Sequence, residues 1–461
     1  MMRFVVLIAA LVCGFNAVAK QYATTAYLGT SVQFTIESVS ATEQDQAFEL
    51  VKQALTRLDT ILSRYNKSSY LSILNREKQL KNAPVELIDV LKLCQQWQVS
   101  TTNHFSCRLG SILPIWQQAE QTQTMPSRIE VRREARSLRD KTILINGSHI
   151  TLDEELTLDV NGIAKGFIID KVYDLLVARY SESRFKIDIG GDGRHYGAWP
   201  IAFTNPNVKN ATQVMLTNLE NHAYAASGLA FRHFQIKHNT FSHIFAPRDG
   251  WPITKPIGAA VIAKTTANAD AIATALTTMN GVNAIDWLNK HDVAGVLFLP
   301  DGRVVYSKTW QQRDVSKHKA KLTFDYTLPE FDIADYRKPY VAIWLSDTKG
   351  NPIKQMAILG DSERWWQQSR RWWRKVGRKE NSVFPHLAHA TRKPGQHSIS
   401  WFGEDDFGQV VTENELILHI EVSREHGDTS YQKLPFNLTK QATITKDGKG
   451  EIGQLSLTIT P

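Results

Sequence analysis

Two stretches of the chain carry residues that could act together in chemistry, Leu158–Asp170 (LDVNGIAKGFIID) and Asn268–Met279 (NADAIATALTTM). The second stretch is rich in Ala, Leu and Ile, which predicts a helix that places Asp270 and Thr274 one turn apart on the same face. A carboxylate and a hydroxyl are oxygen ligands of the kind that Mg²⁺ takes, with water and substrate phosphate completing its coordination.

The first stretch places Asp159 and Lys165 on either side of a turn at Asn161-Gly162. Lys165 is a point charge suited to phosphate, and the Gly162 carbonyl can approach a ligand closely. Taken singly, an Asp in the first turn of a helix is usually explained by the helix dipole, and a Lys before Gly by solvation. Taken together, the two stretches favour a site for a metal ion and a pyrophosphate.

Seven short elements, in this order, resemble the motifs of the ApbE-like FAD:protein FMN transferases over roughly the first two thirds of the chain. They are Leu28-Gly29-Thr30, residues 62–75 (LSRYNKSSYLSILN), Leu158–Asp170, Ile187–Asp192 (IDIGGD), Ala226-Ser227-Gly228, Ser242–Pro252 (SHIFAPRDGWP) and Ala269–Leu276 (ADAIATAL). No single element is specific, but seven in the same order with plausible spacing make coincidence a poor explanation.

The resemblance implies phosphoryl transfer. FAD would bind with its pyrophosphate over Mg²⁺, a threonine hydroxyl of a target protein would attack the phosphorus next to riboflavin, and AMP would leave. The acceptor would carry a motif like Asp-Gly-x-Thr-Ser/Ala-Ala-Thr and would belong to a membrane-associated redox system.

The resemblance also implies the roles of individual residues. Lys165 would face the pyrophosphate, and His243 would position or deprotonate the attacking hydroxyl, since His is poised near neutral pH; a structural His at a strand end is the alternative. The metal ligands would be Asp270, Thr274 and the carbonyls of Gly162 and Ala273. The remaining FAD-binding residues would be Leu28, Tyr65, Phe105, Ser106, Asp159, Gly190, Ser227 and Ile244.

The chain departs from the family pattern at several positions. Phe105-Ser106-Cys107-Arg108 stands where the family has Phe-Asp-Pro-Thr, Ala246 and Asp249 replace an Asp and a Thr, and Ser242 replaces a His. Two alternatives to FMN transfer therefore stay open. One is hydrolysis of FAD to FMN and AMP, and the other is a non-catalytic flavin-binding or interaction protein.

The length of 461 residues favours two or three domains. Mixed strands and helices in the first part predict an α/β or α+β layered domain over 20–310. A polar stretch at 311–325 predicts a linker. Short alternating segments beyond it predict a β-sandwich-like accessory domain over 326–461. Within it, Thr391–Pro394, Trp401–Asp406 and Glu421–Gly427 (EVSREHG) resemble an uncharacterised extracytoplasmic domain found fused or adjacent to flavin-transfer genes.

The N-terminus predicts export. Arg3, an apolar run from Phe4 to Val12 and Ala17-Val18-Ala19 together form a signal-peptide pattern over 1–19, with cleavage near Ala19. We therefore expect a periplasmic protein. Cys94 and Cys107 are the two cysteines outside this segment, and an oxidising compartment would let them pair.

A basic, Trp-rich segment holds charge equal to the net +8 of the whole chain, with nine Lys/Arg and one acid, Glu380, over 364–394. An exported protein rarely meets nucleic acid, so we do not expect nucleic-acid binding. An amphipathic helix is the better interpretation. Its Trp face would either pack on its own domain, which we favour, or leave 364–379 to contact a membrane surface or an acidic partner.

Residue patterns also predict the elements that hold the site. The predicted helices lie at 42–63, 86–99, 163–180, 267–279 and 282–290, and a basic polar connector lies at 120–140. The predicted strands lie at 24–38, 143–146, 150–152, 185–189, 199–203, 213–217 and 295–299, and beyond residue 325 at 340–345, 398–402, 416–422 and 455–460.

Overall fold

A computed structural model of the chain describes residues 18–27, 30–38, 40–204, 213–228, 233–253, 257–313, 321–333, 336–360, 366–379, 388–389, 391–425 and 427–461. The chain divides into two compact units. The first comprises residues up to 206 together with 215–279 and 293–296, and the second comprises 207–214, 280–292 and 297–461. Within the described ranges, no helix is long and apolar enough to cross a membrane.

The described part of the first unit contains seven helices: α1 (Ala41–Leu62), α2 (Tyr70–Glu77), α3 (Val85–Ser100), α4 (Ile112–Thr122), α5 (Arg128–Leu138), α6 (Asn161–Arg179) and α7 (Thr266–Thr278). Its strands are β1 (Val18–Tyr27), β2 (Thr30–Ser38), β3 (Gln79–Leu80), β4 (Ile143–Asn146), β5 (His149–Leu152), β6 (Arg184–Ile189), β7 (Asp192–Tyr196), β8 (Ala198–Thr204), β9 (Gln213–Glu220), β10 (Ala223–Ser227), β11 (His233–Ile236), β12 (Asn239–Ser242), β13 (Gly258–Ala263) and β14 (Ala294–Phe298).

The main sheet of this unit places its strands in the order β1-β2-β6-β7-β10-β13-β14. Each pair from β1 to β13 is antiparallel. Helices α6 and α7 pack against each other and beside this sheet. The layered fold is therefore confirmed, and antiparallel pairing makes α+β its more accurate description.

The helices and strands predicted around the site are confirmed to within a few residues. Two predictions are wrong. Residues 24–38 belong to two strands, β1 and β2, instead of one. The connector predicted at 120–140 contains helix α5, because the side chain of Ser127 caps its first turn and Val131, Ala135 and Leu138 bury one face at helical spacing.

The second unit contains helices α8 (Gly281–Lys290), α9 (Lys308–Arg313) and α10 (Arg370–Lys375), followed by a 3₁₀ turn at Gly377–Lys379. Its strands are β15 (Val304–Tyr306), β16 (Lys321–Leu328), β17 (Tyr340–Ser346), β18 (Pro352–Leu359), β19 (Ala388–His389), β20 (Gly395–Trp401), β21 (Glu415–Ser423), β22 (Thr429–Asn437), β23 (Ala442–Lys446) and β24 (Leu455–Thr460).

Two sheets face each other in this unit, of order β20-β16-β24-β23 and β19-β18-β17-β21-β22. Leu322, Phe324, Val341, Ile343 and Leu457 belong to the buried core between them. The β-sandwich-like expectation is thereby confirmed. The predicted linker at 311–325 is too wide, because 311–313 end α9 and 321–325 begin β16, where alternate side chains are buried.

Strand β17 is buried on both faces, so the five-stranded sheet has a second core on its other side. Ala342 and Trp344 point into this second core, together with Trp366, Trp372 and Val376 from the Trp-rich segment. The favoured interpretation of that segment is correct at the described positions, since its Trp side chains pack on their own domain. Trp365 lies outside the described residues.

Candidate functional site

Lys165 on α6 lies between two carboxylates, and we call Lys165, Asp192 and Asp270 the lysine cluster. The Lys165 ammonium pairs with Asp192, the first residue of β7, and lies 3.7 Å from Oδ1 of Asp270 on α7. Both carboxylates are buried, whereas Lys165 is partly exposed. Burial raises the pKa of Asp270. The cluster thus keeps a partly exposed cation beside two buried acids.

Backbone groups hold both acids in place. The Ala226 amide donates to Oδ1 of Asp192 over 3.0 Å, and the Gly166 amide donates to Oδ2 of Asp270 over 3.1 Å. Asp192 is a residue that motif reasoning quoted at the end of IDIGGD but did not assign a role. The signal was present, since a carboxylate that follows two glycines at a strand end is well placed to reach a ligand.

Two glycines let α6 approach its neighbours. A Cβ on Gly166 would lie 2.3 Å from the carbonyl oxygen of Thr266, and one on Gly162 would lie 3.2 Å from Cγ2 of Thr274. Asp170 then fixes the start of α7 by accepting from the amides of Thr266 and Ala267 over 2.8 and 2.9 Å. This close packing is what brings Lys165 beside Asp270.

The predicted metal ligands lie at the same place. The Thr274 hydroxyl is 3.4 Å from the Gly162 carbonyl oxygen, and Asp270 lies one helical turn before Thr274. These oxygen donors fit a hard cation such as Mg²⁺. Ala273 is buried inside α7. Among the described residues no group of three or more His, Cys, Asp or Glu could hold a metal. The magnesium site therefore stays a prediction that depends mainly on one carboxylate, a hydroxyl and carbonyl groups.

Asp159 is held in an ion pair with Arg64, a second residue that sequence reasoning quoted without assigning a role. Its amide donates to the Cys107 carbonyl over 2.8 Å, and its Oδ1 accepts from the Asn161 amide over 3.0 Å. Tyr65, beside Arg64, is 57% exposed, and the Arg64 guanidinium lies 5.7 Å from the centroid of its ring. Asp159 is thus positioned by its neighbours before any ligand arrives.

The loop Phe105-Ser106-Cys107 lines the start of α6. The Phe105 ring is buried and would be 3.1 Å from a Cβ on Gly162. The Ser106 hydroxyl accepts from the backbone amide of Arg108 over 3.1 Å. Cys107 forms a disulfide with Cys94 on α3, so the two cysteines that could pair do so. The disulfide ties this loop to a helix of the same unit.

Gly190 and Ser227 lie close to the lysine cluster in the fold. Gly190 has a φ of +62° at the turn between β6 and β7, two residues before Asp192. Ser227 ends β10 and follows Ala226, whose amide binds Asp192. Both are partly exposed, and their roles toward FAD stay predictions.

His243 and Ile244 follow β12 and are both partly buried. The buried hydroxyl of Ser242 accepts from the Ile244 amide over 2.9 Å, which orders this segment. The Asp249 carboxylate accepts from the Trp251 amide over 3.1 Å and so stabilises the turn between these two residues. The roles of His243 and Ile244 stay predictions. Leu28 lies outside the described residues.

Comparisons with known proteins match two regions of the chain to known families. The model of the ApbE family matches residues 28–298, and the model of a predicted periplasmic protein family, DUF2271, matches 321–454. The FAD:protein FMN transferase of Chlamydia trachomatis is 28% identical over 266 residues, which cover 55% of this chain and 83% of the relative. That of Escherichia coli K12 is 23% identical over 301 residues, which cover 61% and 84%.

Solved structures support the fold. The ApbE protein of Thermotoga maritima superposes with a TM-score of 0.58 at 19% identity, over 68% of this chain and 99% of that one. The apo form of the Pseudomonas stutzeri flavinyl transferase ApbE gives 0.57 at 20% identity, over 66% and 99%. Since the family match spans more than half of the chain and includes every residue of the lysine cluster, the chain belongs to the ApbE family.

Proposed function

We propose that this chain transfers FMN from FAD to a threonine hydroxyl of a target protein. The observation that carries the proposal is the convergence of Lys165, Asp270, Thr274 and the Gly162 carbonyl at one partly exposed place. Curated relatives that match over most of their length are named FAD:protein FMN transferases. The threonine oxygen would form a bond to the phosphorus next to riboflavin, the bridging P–O bond would break, and AMP would leave with the bridging oxygen.

The chain's own residues would bind and orient the pyrophosphate. Lys165 would present its ammonium to phosphate oxygens while Asp192, buried and held by a backbone amide, anchors it from behind. Asp270, Thr274 and the carbonyls of Gly162 and Ala273 would hold Mg²⁺, which supplies Lewis-acid stabilisation of charge on the phosphate when bound.

His243 would take the proton of the attacking hydroxyl, because imidazole is the side chain whose usual pKa lies near neutral pH. Asp159, already paired with Arg64, would accept a hydrogen bond from FAD. The exposed Tyr65 ring would lie against the bound FAD. Leu28, Phe105, Ser106, Gly190, Ser227 and Ile244 would complete the flavin site.

We also propose that the protein works outside the cytoplasm, after removal of a signal peptide near Ala19. The Cys94–Cys107 disulfide and the DUF2271 match, whose family is described as a predicted periplasmic protein, both support this location. Strand β1 begins at Val18, so cleavage there would remove its first two residues. The acceptor would carry the Asp-Gly-x-Thr-Ser/Ala-Ala-Thr-like motif of a membrane-associated redox protein.

The test is to incubate the full chain with FAD and Mg²⁺, with and without an acceptor peptide that carries this motif. Acceptor-dependent AMP release and an FMN-sized mass increase on the terminal threonine of the motif are expected. A peptide in which Val replaces that threonine is the matched control, because Val has the same shape without the hydroxyl. AMP release that is equal without peptide would mean that water is the acceptor and the chain hydrolyses FAD. FAD binding without AMP release would mean a non-catalytic flavin protein.

A further inference from the structure

The Trp-rich segment presents a continuous basic surface, which we call the basic face: Arg370, Arg371, Arg374, Lys375 and Arg378. All five side chains are exposed. They occupy positions i, i+1, i+4, i+5 and i+8, and this helical spacing places them on one side of α10 and the turn that follows it. The intervening positions Trp372 and Val376 are buried, so the segment is amphipathic in three dimensions as well as in sequence.

Hydrogen bonds and ring packing hold the basic face on the five-stranded sheet. Glu421 on β21 is buried, and its carboxylate accepts from the backbone amides of Arg371 and Trp372 over 3.2 and 2.8 Å. The hydroxyls of Ser369 and Ser423 lie 2.7 Å apart and join the same two elements. Trp366 and Trp372 pack with their ring centroids 5.0 Å apart beneath the helix. The charges are therefore held in one arrangement instead of on a mobile tail.

The positive charge of this face is not neutralised locally by the residues that the structure describes. None of the ion pairs among the described residues includes a side chain of the basic face. Glu421, the acid directly beneath it, is committed to backbone amides, and burial raises the pKa of this carboxyl. Arg371 lies over the Tyr431 ring at 4.3 Å, a contact that orients a guanidinium without removing its charge.

We propose that the basic face docks the C-terminal domain on an anionic phospholipid surface. The five exposed charges belong to a helix and turn whose Trp372 and Val376 side chains pack on the five-stranded sheet, so the charges lie on the solvent side of that contact. Clustered Lys and Arg on an amphipathic helix suit anionic headgroups. Trp373, only partly buried beside these charges, is the side-chain type found at membrane interfaces. An acidic protein is the competing partner, and the test separates the two.

The test measures co-sedimentation of the full chain with vesicles of phosphatidylcholine, alone or with one third phosphatidylglycerol. We expect binding to the anionic vesicles only, weakening steeply as salt is raised. The variant R370Q/R374Q/R378Q removes three of the five charges and leaves the buried Trp residues intact. It should lower the partition coefficient on the order of 100-fold, since each basic residue near such a surface contributes about fivefold.

The matched control is R132Q/R133Q/R136Q, which removes three exposed charges from α5 in the other unit. It should bind the anionic vesicles like the wild type. Equal losses in both variants would mean that net charge alone drives binding, and equal binding to neutral vesicles would mean that the basic face is not used. Either result overturns the proposal. If the wild type were retained on a polyglutamate matrix but did not bind vesicles, the basic face would be assigned to an acidic protein instead.

Discussion

Asp270→Asn tests the proposed site most directly, because asparagine keeps the size of the side chain and removes only its charge. In the protein, Oδ2 of Asp270 accepts from the Gly166 amide and Oδ1 lies 3.7 Å from the Lys165 ammonium. The amide oxygen of asparagine can keep the first bond. The variant therefore isolates the loss of a carboxylate from the lysine cluster without leaving a cavity.

The effect on folding should be small, because two terms oppose each other. At an effective dielectric constant of about 20, a charge pair separated by this distance attracts by about 4 kcal/mol. Burying a carboxylate costs several kcal/mol, the same effect that raises the pKa of Asp270. We expect the free energy of unfolding to change by no more than ~1 kcal/mol, since Lys165 also keeps Asp192.

The effect on activity should be large. Asp270 is the one carboxylate among the proposed metal ligands, and loss of such charge stabilisation typically costs several kcal/mol in the transition state. That corresponds to a rate lower by about 10²- to 10⁴-fold. The assay is AMP release from FAD over a range of Mg²⁺ concentrations, together with the melting temperature.

The control is Asp174→Asn, which makes the same change at an exposed position on α6. It should match the wild type in both measurements. If Asp270→Asn released AMP at the wild-type rate across the Mg²⁺ range, the assignment of Asp270 to the metal would be refuted. If it unfolded while the control did not, the carboxylate would be structural.

Three further outcomes follow from the described contacts. Asp192→Asn removes the buried ionic anchor of Lys165 and should weaken FAD binding by about 10- to 100-fold in a fluorescence titration, since a hydrogen bond to a charged group is worth about 1.5–3 kcal/mol; unchanged affinity would contradict the anchor. Replacing Cys94 and Cys107 by Ala should lower the free energy of unfolding by about 3 kcal/mol, measured by denaturant titration, because the disulfide closes a short loop of the unfolded chain. Burial lowers the pKa of His419 to about 4, so between pH 6.5 and 4 the unfolded chain binds a proton that the folded chain does not. The melting temperature should therefore fall as the pH is lowered from 6.5 to 4, and it should fall less steeply in His419→Gln.

Local sequence determined the helices of the site and the residues they carry. The spacing in Ala269–Leu276 places Asp270 and Thr274 one turn apart whatever surrounds them, and the side chain of Thr265 caps the same helix from its own sequence neighbourhood. Such signals act over three or four residues, so they can be interpreted without a fold. The motif order along the chain then identified the family before any distance was known.

Only the tertiary structure decided which charges meet. Asp192 reaches Lys165 across 27 residues, and Arg64 reaches Asp159 across 95 residues, so no local period could pair them. The Trp-rich segment shows the same limit. Its sequence is amphipathic whether the Trp face meets lipid or protein. The Trp side chains pack on protein because the second face of β17 is apolar and contacts them. Sequence specifies faces and spacings, whereas partners depend on how distant segments pack, because long-range contacts are set by the whole core.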